Sequence, residues 1–285
     1  MVVFLNGQFV PEAEARVSVF DRGFLYGDGL FETMLIANRV AFRAEQHLHR
    51  LWGGAGWLKL NIPYSQREVL GFIGKLLDAN AQSEGLVRLT VTRGVGRRGY
   101  SPVGADHPTM AMSLHPFAVK TLEGDLSWRL ATASVRLPAR EHLAQFKTCN
   151  KLPQVLARAE AESAGADEAL LLNTDGFVSE AASSNLFWVK DGTVCTPPLG
   201  AGILEGVTRA VVQEICQELQ VEVCEQELTL EQLRQTDGVF VSLSSFGIVP
   251  AKELDGQPLR QSPMVSQIRS AYRKLVYEET GLLKS

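Results

Sequence analysis

Alternating apolar and polar positions open the chain as a hairpin: Phe4-Leu5 and Phe9-Val10 flank Asn6-Gly7, the dipeptide that suits a two-residue reversal. Strand patterns follow at 30–36 and 41–42, and helical spacing then runs over about 44–59, in a helix that carries Arg50. A second helix over 66–79 puts Leu70, Ile73, Leu76 and Leu77 on one face, and strands at 86–92 and 109–115 would complete a mixed sheet. Alternation stops across 115–124 and resumes at Leu126. The pattern therefore predicts a first domain over residues 1–116, a linker at 117–124 and a second domain over 125–285.

In the second half a helix over 152–164 is stopped by Gly165, and a strand at 168–172 leads into a turn at Asn173-Thr174-Asp175-Gly176. A strand at 186–189 is turned by Asp191-Gly192, and a helix follows Gly206 with Ala210, Val211, Val212, Ile215 and Leu219 in its apolar pattern. Thr229 with Gln232 forms a capping box, a strand runs over 239–243, and a last helix starts near Pro263. No repeat or low-complexity tract interrupts this mixture. It predicts an α+β or barrel-like second domain.

Composition narrows the class. The 285 residues are 45% apolar and 21% charged, with no run of eighteen apolar residues, which predicts a soluble globular protein with no membrane partner. The chain enters its first strand at once, without a targeting pattern, and is expected to be cytoplasmic. Cys149, Cys195, Cys216 and Cys224 lack metal-ligand spacing and suit reduced thiols, Cys149 as a small packing residue. A net charge of −4 without a basic stripe argues against nucleic acid as partner, and His47 and His49 fall on different sides of their helix, so no metal site is expected.

Candidate chemistry concentrates between Phe146 and Arg209. Lys147, in the apolar setting Phe146-Lys147-Thr148-Cys149-Asn150, could lose hydration and have its pKa lowered, as a Schiff-base lysine requires. Glu180 ends the strand Gly176-Phe177-Val178 and enters small residues that would let a flat ring approach; a buried carboxylate there would keep a pyridine nitrogen protonated. Gly206-Val207-Thr208 opens a helix whose first amides, with the Thr208 hydroxyl, form an anion site. Each residue alone reads blandly, as a surface lysine, a strand-edge charge and a turn glycine. In this order they suggest pyridoxal 5'-phosphate.

The segments Lys147-Thr148-Cys149-Asn150, Val178-Ser179-Glu180 through Asn185-Leu186-Phe187, and Ile203-Leu204-Glu205-Gly206-Val207-Thr208-Arg209 resemble the signature of the fold-type IV pyridoxal-phosphate enzymes. Asp21-Arg22-Gly23, Tyr26-Gly27-Asp28-Gly29 and His47 to Leu51 extend the likeness to nearly the whole chain. It implies a two-domain α+β fold, with a small N-terminal α/β domain and a larger barrel-like α/β domain that binds the cofactor. It further implies that Lys147 links to the cofactor and moves the substrate proton. Arg50, whose planar fork suits a phosphate, would hold that group with Val207, Thr208 and Ser244, while Ser245 is a weaker candidate. Leu204 would pack on the ring face. Lys151, in the first turn of its helix, reads as a solvated competitor of Lys147. A homodimer is implied too, since sites of this family borrow residues from the partner subunit.

The family holds branched-chain aminotransferases, D-amino-acid aminotransferases and aminodeoxychorismate lyases. Where branched-chain enzymes show Phe-Glu-Gly and a Tyr five residues after the lysine, this chain has Phe31-Glu32-Thr33 and Leu152. Where D-amino-acid enzymes show Arg-x-His, it has Arg98-Gly99-Tyr100. The loop from Arg93 to Ser101, and Val135-Arg136-Leu137 with Arg140 to Ala144, are similar to the lyases. Phe31, Arg97, Arg98 and Tyr100 are the expected contacts of an amine or amino-acid-like substrate carrying carboxylate. The resemblance thus implies a 4-amino-4-deoxychorismate lyase that releases pyruvate and forms 4-aminobenzoate for folate synthesis. The alternative is a transaminase of D-amino acids, branched-chain amino acids or amines. A cofactor carrier without catalysis fits poorly with a chain that retains every catalytic position.

Overall fold

Asn6 and Gly7 take positive φ angles of 48° and 91°, the conformation of a tight reversal, and join β1 (Val2–Leu5) to β2 (Gln8–Pro11) as the Asn-Gly signal predicts. The computed structural model describes residues 1–282 and divides into two compact units. One holds Met1–Val119, Phe146–Asn150 and the chain from Val276; the other holds Lys120–Gln145 and Lys151–Leu275.

The first unit adds α1 (Arg22–Tyr26), β3 (Gly29–Ala37), β4 (Val40–Ala41), α2 (Ala44–Trp57), α3 (Gln66–Ala79), β5 (Gly85–Thr92) and β6 (Thr109–His115). Its sheet runs β2-β1-β6-β5-β3-β4, and every pairing is antiparallel. The expected mixed sheet is thereby corrected. Strand periodicity reports which face is buried and says nothing of a neighbour's direction. Helix α2 packs on β3 and α3 on β1 and β6, closing a core of Phe4, Met34, Ile36, Leu48, Leu51, Ile73 and Leu76. Each such side chain contributes about 1.5–3 kcal/mol by leaving water.

Two local expectations are also corrected. Leu70 is 36% exposed, and Val69 takes its place in the buried stripe with Ile73, Leu76 and Leu77. Residues one apart on a helix point about 100° apart, so one-position ambiguity exchanges edge for core. Helix α2 stops at Trp57 rather than 59, because Lys59 turns left-handed at φ 52°.

Residues 146–150 join the first unit as an extra antiparallel partner for the start of β3. Phe31 N–H donates to Lys147 O, Cys149 N–H donates to Gly29 O, both at 2.9 Å, and Leu30 faces Thr148.

The second unit contains β7 (Trp128–Leu137), α4 (Leu152–Ser163), β8 (Glu168–Asn173), β9 (Val178–Ala181), β10 (Asn185–Lys190), β11 (Thr193–Thr196) and α5 (Val207–Glu218). Then come β12 (Val223–Glu225), α6 (Leu230–Arg234), β13 (Gly238–Leu243), β14 (Gly247–Leu254), β15 (Gln257–Pro258) and α7 (Pro263–Glu279), whose final turn belongs to the first unit. The half-barrel sheet runs β12-β11-β10-β13-β14-β7-β8-β9, with β15 on β14. Strand β7 is parallel to both β8 and β14, and the remaining long pairings are antiparallel. Strand β14 escaped the sequence pattern because Pro250, which cannot donate to a ladder, sits inside it. The Thr229–Gln232 capping box forms as expected.

Candidate active site

Strand β3 organises the candidate residues of the first unit. Alternation turns Phe31 and Glu32 to opposite faces, and both are buried, as expected of a strand covered on both sides. The Lys147 ammonium lies 4.8 Å from the centre of the Phe31 ring, and the Arg88 guanidinium lies 3.9 Å from the same centre. An aromatic face within reach of two cations is an electrostatic partner for both.

Glu32 is fully buried and receives Arg50 in a two-point grip, Nε on Oε1 at 2.7 Å and Nη2 on Oε2 at 2.6 Å. His47 Nδ1 meets Oε2 at 2.8 Å. Burial works against the Glu32 charge, but the Arg50 charge and the hydrogen bonds from His47 and Arg50 outweigh it and hold the carboxyl down to about 2. Burial, assisted by the Arg50 and Lys147 charges, lowers the His47 pKa against the pull of Glu32. At neutral pH the ring is therefore uncharged and donates from Nδ1 to an acceptor-only carboxylate. Helical spacing explains the pair: His47 and Arg50 stand three apart on α2 and share one face toward β3.

Arg97, Arg98 and Tyr100 occupy the loop between β5 and β6, where all three are exposed, Tyr100 to 88%.

In the second unit Glu180 lies near the end of β9, which starts at Val178 rather than Gly176, and is buried. Its Oε2 accepts from Leu204 N–H at 2.8 Å and from Asn185 Nδ2 at 3.3 Å, while the Asn185 amide also donates to Leu204 O at 2.9 Å. These neutral donors stabilise an ionised carboxylate. Leu204 is partly buried and lies three residues before the start of α5.

Helix α5 opens at Gly206 without a side-chain cap, and Val207 and Thr208 form its buried first turn. A Cβ at Gly206 would lie 1.9 Å from Asn185 Oδ1, so only glycine leaves the Glu180–Asn185–Leu204 set undisturbed. Ser244 and Ser245 are partly buried in the turn between β13 and β14, and α5 packs on β13. The buried hydroxyls of Ser184 and Ser242 have no hydrogen-bond partner among the described residues, and Ser242 is the register partner of Asn185. An uncapped helix start, a held carboxylate and orphaned buried hydroxyls suit a polar, anionic, nitrogen-containing group such as pyridoxal phosphate. Lys151 caps α4 at its N-terminus instead of entering its first turn.

Glu32, His47, Asn185, Arg22 and Asp28 all do structural work that reading residue by residue does not assign. The signal for Arg22 and Asp28 was the density of charged residues and glycines from Asp21 to Gly29, and for Asn185 its place at the end of the small-residue run after Glu180.

The profile of the family described as amino-transferase class IV matches residues 29–254. A protein of Methanocaldococcus jannaschii, provisionally named a branched-chain-amino-acid aminotransferase, is 40% identical over 258 residues, covering 90% of this chain and 89% of the relative. A D-alanine aminotransferase of Staphylococcus aureus is 31% identical over 96% of this chain and 97% of its own length. Among solved structures, the branched-chain aminotransferase of the thermophilic archaeon Thermoproteus uzoniensis with norvaline aligns with a TM-score of 0.89 at 31% identity, covering 99% and 97% of the two chains. A Legionella pneumophila protein provisionally named a 4-amino-4-deoxychorismate lyase aligns with a TM-score of 0.83 at 25% identity, covering 95% and 96%. A match across most of the chain, with relatives that share it end to end, makes this protein a member of the class IV amino-transferase family of pyridoxal-phosphate enzymes.

Proposed function

We propose that the protein is a pyridoxal-phosphate-dependent transaminase of α-amino acids. The observation that carries this reading is the Lys147 ammonium over the Phe31 ring, on a segment hydrogen-bonded to the strand whose Glu32 holds Arg50. The names of the relatives favour transamination over the lyase activity that the loop sequences suggest.

When bound, the cofactor supplies a carbonyl that takes up an amino group and a ring that draws electrons from the donor's α-carbon. Lys147 Nζ anchors it at rest and carries the proton from the donor α-carbon during turnover. Glu180, held in place by hydrogen bonds from Leu204 N–H and Asn185, would keep the proton on the ring nitrogen. Arg50, the first amides of α5 at Val207 and Thr208, and the Thr208 and Ser244 hydroxyls take the phosphate. Leu204 packs on the ring, Phe31 lines the substrate side, and Arg97, Arg98 and Tyr100 bind the donor's carboxylate. The protein works as a homodimer, a reading supported by the exposed Val19, Phe20, Phe24 and Leu25, and in the cytoplasm, a reading supported by the scattered spacing of its four cysteines.

The test is the half-reaction: holoenzyme mixed with single amino donors and no acceptor, followed by cofactor absorption. A spectral change that an added keto acid reverses supports transamination, and the set of D-amino acids or branched-chain L-amino acids that produces it defines the donor. No change with any donor would overturn the reading.

The second reading, aminodeoxychorismate lyase, is favoured by the Arg-Gly-x-Gly-x-Arg-Gly-Tyr-Ser run from Arg93 to Ser101. It predicts stoichiometric pyruvate and 4-aminobenzoate from 4-amino-4-deoxychorismate without any keto acid.

A further inference from the structure

No residue from Val95 to Gly104 is buried, so hydrophobic packing does not set the shape of this loop. Hydrogen bonds do, and three of them end on one side chain. Arg22 is 4% exposed and lies on α1, far from the loop in sequence. Its Nη1 donates to Gly99 O at 2.9 Å and Ser101 O at 3.1 Å, and its Nη2 donates to Tyr100 O at 3.0 Å. Its Nε donates to Asp28 at 2.8 Å. Three consecutive carbonyls thus converge on one guanidinium. An extended chain would alternate them, so the loop is curled around the arginine, and Gly99 accommodates the curl at φ 102°.

The frame behind Arg22 is fixed as well. Arg93 takes the same Asp28 oxygen at 2.8 Å and directs its other donors to the carbonyls of Lys59 and Leu58. Arg22 N–H donates to Gly94 O, and Arg93 N–H to Asp28 O. Tyr26 completes the cage, with its ring 5.0 Å from the Arg22 guanidinium and its hydroxyl accepting from Gly99 N–H. With the carbonyls drawn inward, Arg97, Arg98 and Tyr100 project outward. A lysine could not do this, because its ammonium is a point charge without the planar fork that reaches three carbonyls and a carboxylate together.

We propose that Arg22 is a positioning residue for substrate recognition, which curls the Gly99–Ser101 backbone and so aims Arg98 and Tyr100 at the donor's carboxylate. This rests on the reading that the loop binds that carboxylate. Arg22 therefore acts on affinity for carboxylate-bearing ligands and leaves the proton-transfer residues alone.

The test uses holoenzyme carrying Arg22→Met or Arg22→Lys, with Arg98→Ala beside them. Hexanoate, an unreactive carboxylate, is titrated against the cofactor absorption, and kcat and KM are measured with the best amino-acid donor. In the Arg22 variants Kd for hexanoate and KM for the donor should rise together by about tenfold, the weight of one charge-assisted hydrogen bond. Cofactor content should hold, and kcat should stay within about threefold, since uniform binding is what is lost. If Arg22→Met does not yield folded holoenzyme, Arg22→Lys and Tyr26→Phe, which removes the Gly99 acceptor, carry the same comparison. Unchanged Kd and KM in the Arg22 variants, with both raised in Arg98→Ala, would sink the positioning role alone. Unchanged values in Arg98→Ala as well would sink the loop reading beneath it. A loss of kcat and cofactor with KM unchanged would make Arg22 merely structural.

Discussion

Arg50 and Glu32 form a buried two-point ion pair, 2.7 and 2.6 Å long, with neither side chain more than 10% exposed. Removing one partner of such a pair leaves an uncompensated charge. Glu32→Ala should therefore lower unfolding free energy by about 3–5 kcal/mol in chemical denaturation, and Glu32→Gln by less, because the amide keeps an acceptor. Cofactor affinity should fall in both, as Arg50 loses its orientation. A Glu32→Ala protein of unchanged stability would show that the pair contributes nothing.

The same cluster makes stability fall in acid. Glu32 sits near 2 when folded against 4.5 ordinarily, so its contribution is complete above about pH 4.5 and is lost as pH falls from there toward 2. His47, lowered from 6.5 and buried uncharged, contributes above about pH 6.5 and loses that contribution as pH falls below it. Denaturation measured from pH 7 to 3 should show the gap between wild type and Glu32→Gln shrinking below pH 4.5. A gap that widens there would reverse the assigned sign.

Gly206→Ala tests the second unit. Its φ of −75° suits alanine, so the effect is steric, through the Cβ placed 1.9 Å from Asn185 Oδ1. Asn185 must move, Glu180 loses a donor, and the variant should be destabilised by about 1–3 kcal/mol, as for other overpacked sites. Titration with pyridoxal phosphate should show weakened binding. Wild-type affinity would mean that Asn185 relaxes without disturbing Glu180.

Lys147→Ala should abolish the absorption of the lysine-linked cofactor and reduce turnover by roughly a hundred- to ten-thousandfold, the usual weight of a lost acid–base group. Glu180→Gln should retain cofactor yet lose most of the rate. Full activity in Lys147→Ala would end the assignment of that lysine.

The hairpin at Asn6-Gly7, the helices at 152–163 and after Gly206, the capping box at Thr229 and the order of Lys147, Glu180 and Gly206 were all legible in the sequence. Each depends on sterics, periodicity or capping within a few residues, which any reader of the chain can evaluate locally. Strand direction, the exposed Leu70, the pairing of residues 146–150 with β3, and the grip of Arg22 on carbonyls 77 to 79 residues away were not. Those outcomes hang on which distant backbone supplies a partner. Glu32 and Arg50 show the difference: composition offers 28 basic and 32 acidic residues, and only the packing of α2 on β3 selects this pair and removes it from water. The chain's own pattern determines most of its elements and the enzyme family it belongs to. Burial and long-range hydrogen bonding, which depend on the folded backbone, decide which charges are held, which are presented and which merely dissolve.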